Sequence, residues 1–568
     1  MKDDPGFANC ESRFANEDSA IANRKSKIAN CLILCFVLLS SFLLKLNHLG
    51  HTALKPLDEA FHAVVAKNLM SHPLTPTLNE GITIPAQPGD WQNGEIWLHK
   101  PPMSLWQIAV SFKLFGVSPF ALRLPSAILA TLAAWFTYLI GARLMNPVAG
   151  LVAAGLQAFN PAIVRLVHGY LFSDHVDISL LFWTELSILF LIRAIDSGHW
   201  KDFAVCGIAQ GLAFLSKTYP ALIVTGLAAV AWALPGLRIN LRRLGILLLA
   251  TVLTIAPWTI WAVAHWPQLY VQETLHVFRH LTENIEDWAA PWDRLPFDHW
   301  VQAFNVFYPA ILSAIVYTII RARQARDPKL WLAVAWAAGV AVPFLLATSK
   351  PPAGTLVGWP AMWLMLGFMV SRAIAGDRLA IGVWLVSMIS PVLLSSESFR
   401  AGGIGASAPA AGEMLRQHLW VIWHTLAALA GGWLLMRLPT ARWRAGLIVA
   451  CAAAAIFITV PPQISLAWRT TERAKDEPSF VLLAGFVQHL PPNAVLMIDE
   501  LAPAENKAIQ FAVGRTCYPV RGGQVDEMAR QIERAGGIPF LVTPAPMDIA
   551  PDFHDSSTGR NVYPLHAN

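Results

Sequence analysis

Apolar stretches long enough to cross a bilayer alternate with short polar loops through most of this chain. A membrane helix needs about 20 apolar residues. By that measure thirteen spans lie near 30–47, 121–142, 147–164, 176–194, 202–216, 219–235, 244–264, 300–320, 330–348, 355–371, 379–396, 414–436 and 444–461. Three polar regions stand apart from this alternation. Residues 1–29 are expected to be a disordered tail, 48–120 form one long loop, and 462–568 follow the last span. In that last region the apolar period shortens. Residues 494–499, 516–520 and 539–543 read as strands, and 505–513 and 524–535 as helices. The pattern therefore predicts an α-helical polytopic membrane protein with a transmembrane core over 30–461 and a small α/β domain over 462–568.

Charge fixes the expected orientation. Arg24, Lys25 and Lys27 precede the first span and favour a cytoplasmic N-terminus. The even-numbered spans then run into basic loops: Arg143; Arg193 and Lys201; Arg238, Arg242 and Arg243; Arg321, Arg323, Arg326 and Lys329; Arg372 and Arg378; Arg437, Arg442 and Arg444. This alternation places loop 48–120, the turn at 165–174, loop 265–299, the turn at 349–354 and the C-terminal domain outside the cytoplasm. The site of action would be the outer face of the cytoplasmic (inner) membrane. A cleaved signal peptide is the alternative for the first span, but no clear small-x-small cleavage site follows it.

Composition agrees: 55% of residues are hydrophobic and 14% charged, with a net charge of +5. The mean hydropathy is +0.46. The basic residues are scattered among loops, which excludes a nucleic-acid partner. Cys517 is the one cysteine of the C-terminal region, so no disulfide forms within it. Many of the 23 Trp sit at span ends, where indole suits the lipid interface.

The candidate chemistry lies in the outside loops. Asp58 and Glu59 stand just beyond the first span, on a segment of helical pattern that places Asp58 and His62 on one face. His99 and Lys100 precede Pro101-Pro102, which fixes their backbone at the mouth of the next helix. The loop after the seventh span carries Glu273, His276, Arg279 and His280, and Lys350 precedes a second Pro-Pro. Lys100, Lys217, Arg279 and Lys350 are cations in separate segments that are expected to meet one anion, with phosphate the obvious candidate. Asp174, His175 and Asp177 crowd the outer end of the fourth span, and Glu185 lies deeper. The plainer reading of each polar residue is an interface side chain that reaches to water.

Together the Asp58-Glu59 pair, the Lys100-Pro101-Pro102 run with Trp106 following, and Phe115-Gly116-Val117-Ser118-Pro119-Phe120-Ala121-Leu122-Arg123-Leu124-Pro125-Ser126 resemble the glycosyltransferase-C (GT-C) superfamily. The resemblance is to the family 39 type, which includes dolichyl-phosphate-mannose protein mannosyltransferases and lipid A aminoarabinose transferases. It is clearest over about 50–235. It implies an inverting transfer from a polyprenyl-phosphate sugar donor to a lipid, protein or glycan acceptor. It also implies that Asp58, with Glu59 and Asp174, is acidic catalytic machinery. Lys100 and Arg279 would bind donor phosphate, with Lys217 and Lys350 as further cations. Two departures stand out: Phe61-His62 occupies a place where the family often has Arg-Tyr, and His99 replaces a Glu before Lys-Pro-Pro. His99 and His276 become candidate ligands for a divalent metal such as Zn, Mg or Mn. The rival function is a transporter or flippase of a lipid-linked anion, but no internal repeat or midplane polar cluster supports it.

Overall fold

The computed structural model describes residues 27–384 and 480–565 apart from short stretches, the longest being 85–90 and 292–298, with a few more residues near 464–471. The expected spans at 414–436 and 444–461, and most of 379–396, lie outside the described residues.

Among the described residues six helices are long and apolar enough to cross a membrane, or seven if one bent pair counts as a span. The first, α1 (Lys27–Leu46), turns Leu32, Phe36, Leu39 and Leu43 outward. Bare apolar surface on this scale suits lipid rather than water. Two helices then fall within the long loop 48–120: α2 (Asp58–Leu69) and α3 (Pro102–Phe115). Spans resume with α4 (Pro119–Leu144), capped by Ser118, whose hydroxyl accepts from the Ala121 amide at 3.2 Å.

The third expected span is not one helix. α5 (Pro147–Ala158) and α6 (Pro161–Val167) meet at a 50° bend. Asn160 and Pro161 cause it. The Asn160 side chain accepts from the Ala162 and Ile163 amides and starts a new helix, with proline at its first position. The carbonyls freed at the break need donors. Buried Lys45 supplies one, donating to Ala158 O at 2.8 Å.

The core continues through α7 (Asp174–Ser197), α8 (Trp200–Lys217), α9 (Ile223–Ala233) and α10 (Leu241–His265). The helix α11 (Pro267–Arg279) follows. The expected 300–320 span divides into α12 (Trp300–Phe304) and α13 (Tyr308–Ala325), where Pro309 opens a fresh helix. α14 (Pro328–Leu346) and α15 (Trp359–Ile374) complete the described core. Glycines permit its close crossings. A Cβ on Gly367 of α15 would lie 2.3 Å from Ala149 O of α5.

Among the described residues the C-terminal domain has five strands in the order β2-β1-β3-β5-β4. β1 (Ala494–Asp499) pairs in parallel with β2 (Cys517–Val520) and β3 (Ile538–Thr543). β4 (Phe553–Asp555) and β5 (Arg560–Pro564) add an antiparallel edge that the sequence reading did not anticipate. The helices α16 (Val481–Val487), α17 (Glu505–Val513) and α18 (Val525–Arg534) cover the sheet. α17 carries the domain onto the 48–120 loop. Its Ala508 and Phe511 share an apolar cluster with Val64, Phe61 and Phe112 of α2 and α3. Lys507 donates to Asn79 Oδ1 at 2.9 Å, and Gln510 to Leu78 O at 2.8 Å.

Candidate active site

The first turn of α2 holds Asp58 and Glu59, where the helix dipole favours negative charge. Their surroundings then separate them. Glu59 is buried and receives both faces of Arg123: Nε donates at 2.6 Å and Nη2 at 2.9 Å. The Lys55 amide donates to Glu59 as well, at 2.7 Å. Gly169, at φ +71°, lies so close that a Cβ there would sit 2.3 Å from the carboxylate. Glu59 is thus committed to holding α2 against α4 and the 169 turn. Its expected catalytic task finds no support in these contacts.

Asp58 is half-buried. Burial by itself would raise its carboxyl pKa. The positive field of Lys100, His62, His99 and Lys217 outweighs that and holds it well below the usual carboxylate range. These groups come from α2, the segment before α3, and the end of α8. A carboxylate facing convergent cations makes this the candidate site.

α7 supplies the opposite wall. His62 Nδ1 is hydrogen-bonded to Asp174 Oδ1 at 2.7 Å, with both side chains buried. The shared face of Asp58 and His62 is real, but Asp174 takes the imidazole. His175 bridges Ser126 of α4 at 2.6 Å and Gln107 of α3 at 3.0 Å, fixing the first turn of α7. One turn on, Asp177 accepts from Lys217 at 2.5 Å, while its second oxygen is buried with no hydrogen-bond partner among the described residues. Asp177 also lies in the field of Asp58 and Lys100. The sequence placed Asp177 at this end of the span without giving it a role. Its pairing with Lys217, forty residues away in the chain, carries no local signal.

The expected cations divide. Lys100 and Lys217 share the field of Asp58. Arg279 does not join them: it lies exposed on α11 and pairs with Glu283 at 2.7 Å, four residues on. Lys350 is buried and donates to Ala347 O. Its backbone amide also donates to Trp288 O at 2.8 Å, tying two loops together. So the expected four-cation cluster is reduced to two cations near Asp58.

The candidate metal ligands do become neighbours. The His99 and His276 rings are 5.2 Å apart, and His99 Nδ1 is hydrogen-bonded to Glu273 Oε2 at 2.9 Å. Trp91 stacks flat on His99 at 4.0 Å. Among the described residues, no three His, Cys, Asp or Glu side chains are grouped to hold an ion. Glu273 serves as a hydrogen-bond partner that orients His99. Beside Lys100 and His99 is a cavity of about 40 Å³ walled by Phe214, Trp258 and Tyr270.

Residues 99–261 match the family described as dolichyl-phosphate-mannose-protein mannosyltransferase. The chain is 27% identical over 402 residues to undecaprenyl phosphate-alpha-4-amino-4-deoxy-L-arabinose arabinosyl transferase 1 of Pseudomonas fluorescens, covering 65% of this chain and 68% of that one. The structure of ArnT from Cupriavidus metallidurans bound to undecaprenyl phosphate superposes with a TM-score of 0.62 at 16% identity, over 93% of this chain and 97% of that one. An archaeal oligosaccharyltransferase from Archaeoglobus fulgidus gives 0.57 at 13% identity, over 90% of this chain and 69% of that one. This chain has the fold of these GT-C membrane enzymes. The matched segment 99–261 starts at His99 and ends in α10, so it carries Lys100, Asp174, Asp177 and Lys217 but not Asp58. The GT-C fold thus accounts for the helical scaffold. The roles of individual side chains rest on the geometry above.

Proposed function

We propose that this glycosyltransferase moves a sugar from a polyprenyl-phosphate donor to a hydroxyl of a lipid, protein or glycan acceptor, at the outer face of the cytoplasmic membrane and with inversion. The observation that carries this reading is the placement of Asp58 among Lys100, Lys217, His62 and His99 at the outer ends of the helices. The donor named for the similar transferase, and the lipid phosphate bound in the similar structure, agree with it.

The acceptor hydroxyl oxygen attacks the anomeric carbon as Asp58 takes its proton. The bond from that carbon to the phosphate oxygen breaks, and its electron pair stays on the phosphate. Lys100 stabilises the charge that develops there, and Lys217 adds to the field. A carboxylate surrounded by cations is a poor base. Donor phosphate corrects this: its negative charge offsets Lys100 and Lys217 and raises the proton affinity of Asp58. The base would then become competent when the donor is in place. Transport of a lipid-linked anion has no comparable support. The mid-span carboxylate Glu185 is tied to Thr137 and Gln157, at 2.6 Å each.

The test is transfer by purified protein in lipid vesicles, with radiolabelled undecaprenyl-phosphate sugars as donors and envelope extract as acceptor. Wild type should label a component of the extract and Asp58→Asn should not. Equal rates would overturn the role of Asp58, and labelled donor moved across the vesicle without transfer would favour transport. The outer location is checked separately. A reporter active only in the periplasm, fused after residue 461, should give signal, and cytoplasmic reporter activity there would reverse the topology.

A further inference from the structure

Between the far end of α2 and the C-terminal domain is a second cavity, of about 230 Å³, that the transfer chemistry does not use. α2 contributes Lys67 and Asn68, the outer loop contributes Glu80, and the domain contributes Phe511 and Thr516. The volume is below the usual range for large organic ligands and suits a single ring. Its lining mixes polar side chains with an aromatic face, as sugar recognition requires.

Three features make it a built site. First, the half-buried Lys67 has no side-chain hydrogen bond or ion pair among the described residues; Glu80 reaches it only through its field. A partly desolvated ammonium without a partner is costly. Second, the polar neighbours retain capacity. Asn68 donates its amide to Thr77 O at 2.9 Å, which leaves its carbonyl oxygen as an acceptor. Third, glycines keep the space open. Gly514, at φ +72°, would place a Cβ 3.4 Å from Lys67 Nζ, and Gly81, at φ +80°, has nothing near. Side chains are disfavoured at both positions by the backbone alone.

We propose that this cavity binds an anionic sugar ring of the acceptor, with its carboxylate or phosphate on Lys67, hydroxyls on Glu80 and Asn68, and its apolar face against Phe511. The word acceptor rests on the transfer reading above; the binding does not. Lys67 is nine residues beyond Asp58 on one helix, about 14 Å at 1.5 Å per residue. The ring held there is therefore remote from the reacting hydroxyl. Its binding energy positions the acceptor on the helix that also presents Asp58.

The experiment is calorimetric titration of the full-length protein in detergent with glucuronate, glucose 1-phosphate and glucose. At least one anionic ring should bind ten times more tightly than glucose, and which one does identifies the oxyanion. Lys67→Gln should lose that preference, Lys67→Arg should keep it, and Glu80→Gln should weaken both anionic rings. Equal binding of all three sugars, no binding of either anion, or an unchanged Lys67→Gln would overturn the site. Lys67→Gln should also retain donor hydrolysis and raise the acceptor KM. Transfer without anionic-ring binding sinks this site alone, whereas binding without transfer sinks the catalytic reading and leaves the site standing.

Discussion

Asp58 and Glu59 are adjacent in sequence and chemically alike, yet their environments differ. Arg123 claims Glu59 through two short hydrogen bonds, whereas Asp58 faces a field of separated cations. The sign of that field has a consequence for pH. A carboxyl held below its ordinary pKa of about 3.9 keeps its charge through the acid range and loses it only when pH falls through the depressed value. Wild-type kcat/KM should therefore show no acid limb from Asp58 near pH 4–5. Lys100 is the largest positive contributor, so Lys100→Ala should move such a limb toward neutral pH. The same variant should lower turnover by about 10²–10³-fold, the scale for losing one well-placed stabiliser of developing charge. A pH–rate profile of both proteins measures the two effects together. An unshifted limb with unchanged turnover would make Lys100 structural.

At the scale of elements, the site depends on how α2 is clamped. The Glu59–Arg123 pair is fully buried, and Arg123 also donates to Leu49 O at 3.1 Å. Removing one member strands the other charge in a place without water. Arg123→Leu should destabilise the protein by about 3–5 kcal/mol. The double variant Glu59→Leu/Arg123→Leu should recover much of that loss, because no charge is then stranded. Denaturation of the single and double variants in the same detergent checks this. A double variant as unstable as the single one would locate the cost in packing.

Over the whole molecule, the membrane core and the C-terminal sheet meet through α17 on α2 and α3. Phe511 packs at 5.9 Å from Phe112 and closes the apolar cluster. Truncating it should cost about 3 kcal/mol of docking, the scale for burying a large aromatic side chain. Phe511→Ala should therefore make the 480–565 unit more accessible to protease while the transmembrane part stays intact. Unchanged digestion would assign docking to the polar bonds of Lys507 and Gln510. The same contact links the proposed ring-binding cavity to α2, so a loosened domain should also raise the acceptor KM.

Sequence alone determined what depends on the local period and on composition. A bilayer demands long apolar helices and a sheet demands short alternating runs, so most of the spans among the described residues and the strands β1 to β3 were legible. The Asn160–Pro161 break carried a local signal as well, but an apolar run masks a bend when only its length is counted. The short strands β4 and β5 lack a strong alternating pattern and form only because β3 offers an open edge. Of the site, the residue types could be read, and Asp58 and Lys100, singled out in separate segments, do come together. Which charges meet could not. Arg279 and Lys217 look alike in a list of outer cations. Tertiary structure gives one to a neighbour four residues away and the other to Asp177 on a different helix. Ion pairs fall off within a few ångströms, so partnership is decided by the packing of α2, α7 and α8, and helical periodicity does not encode that packing.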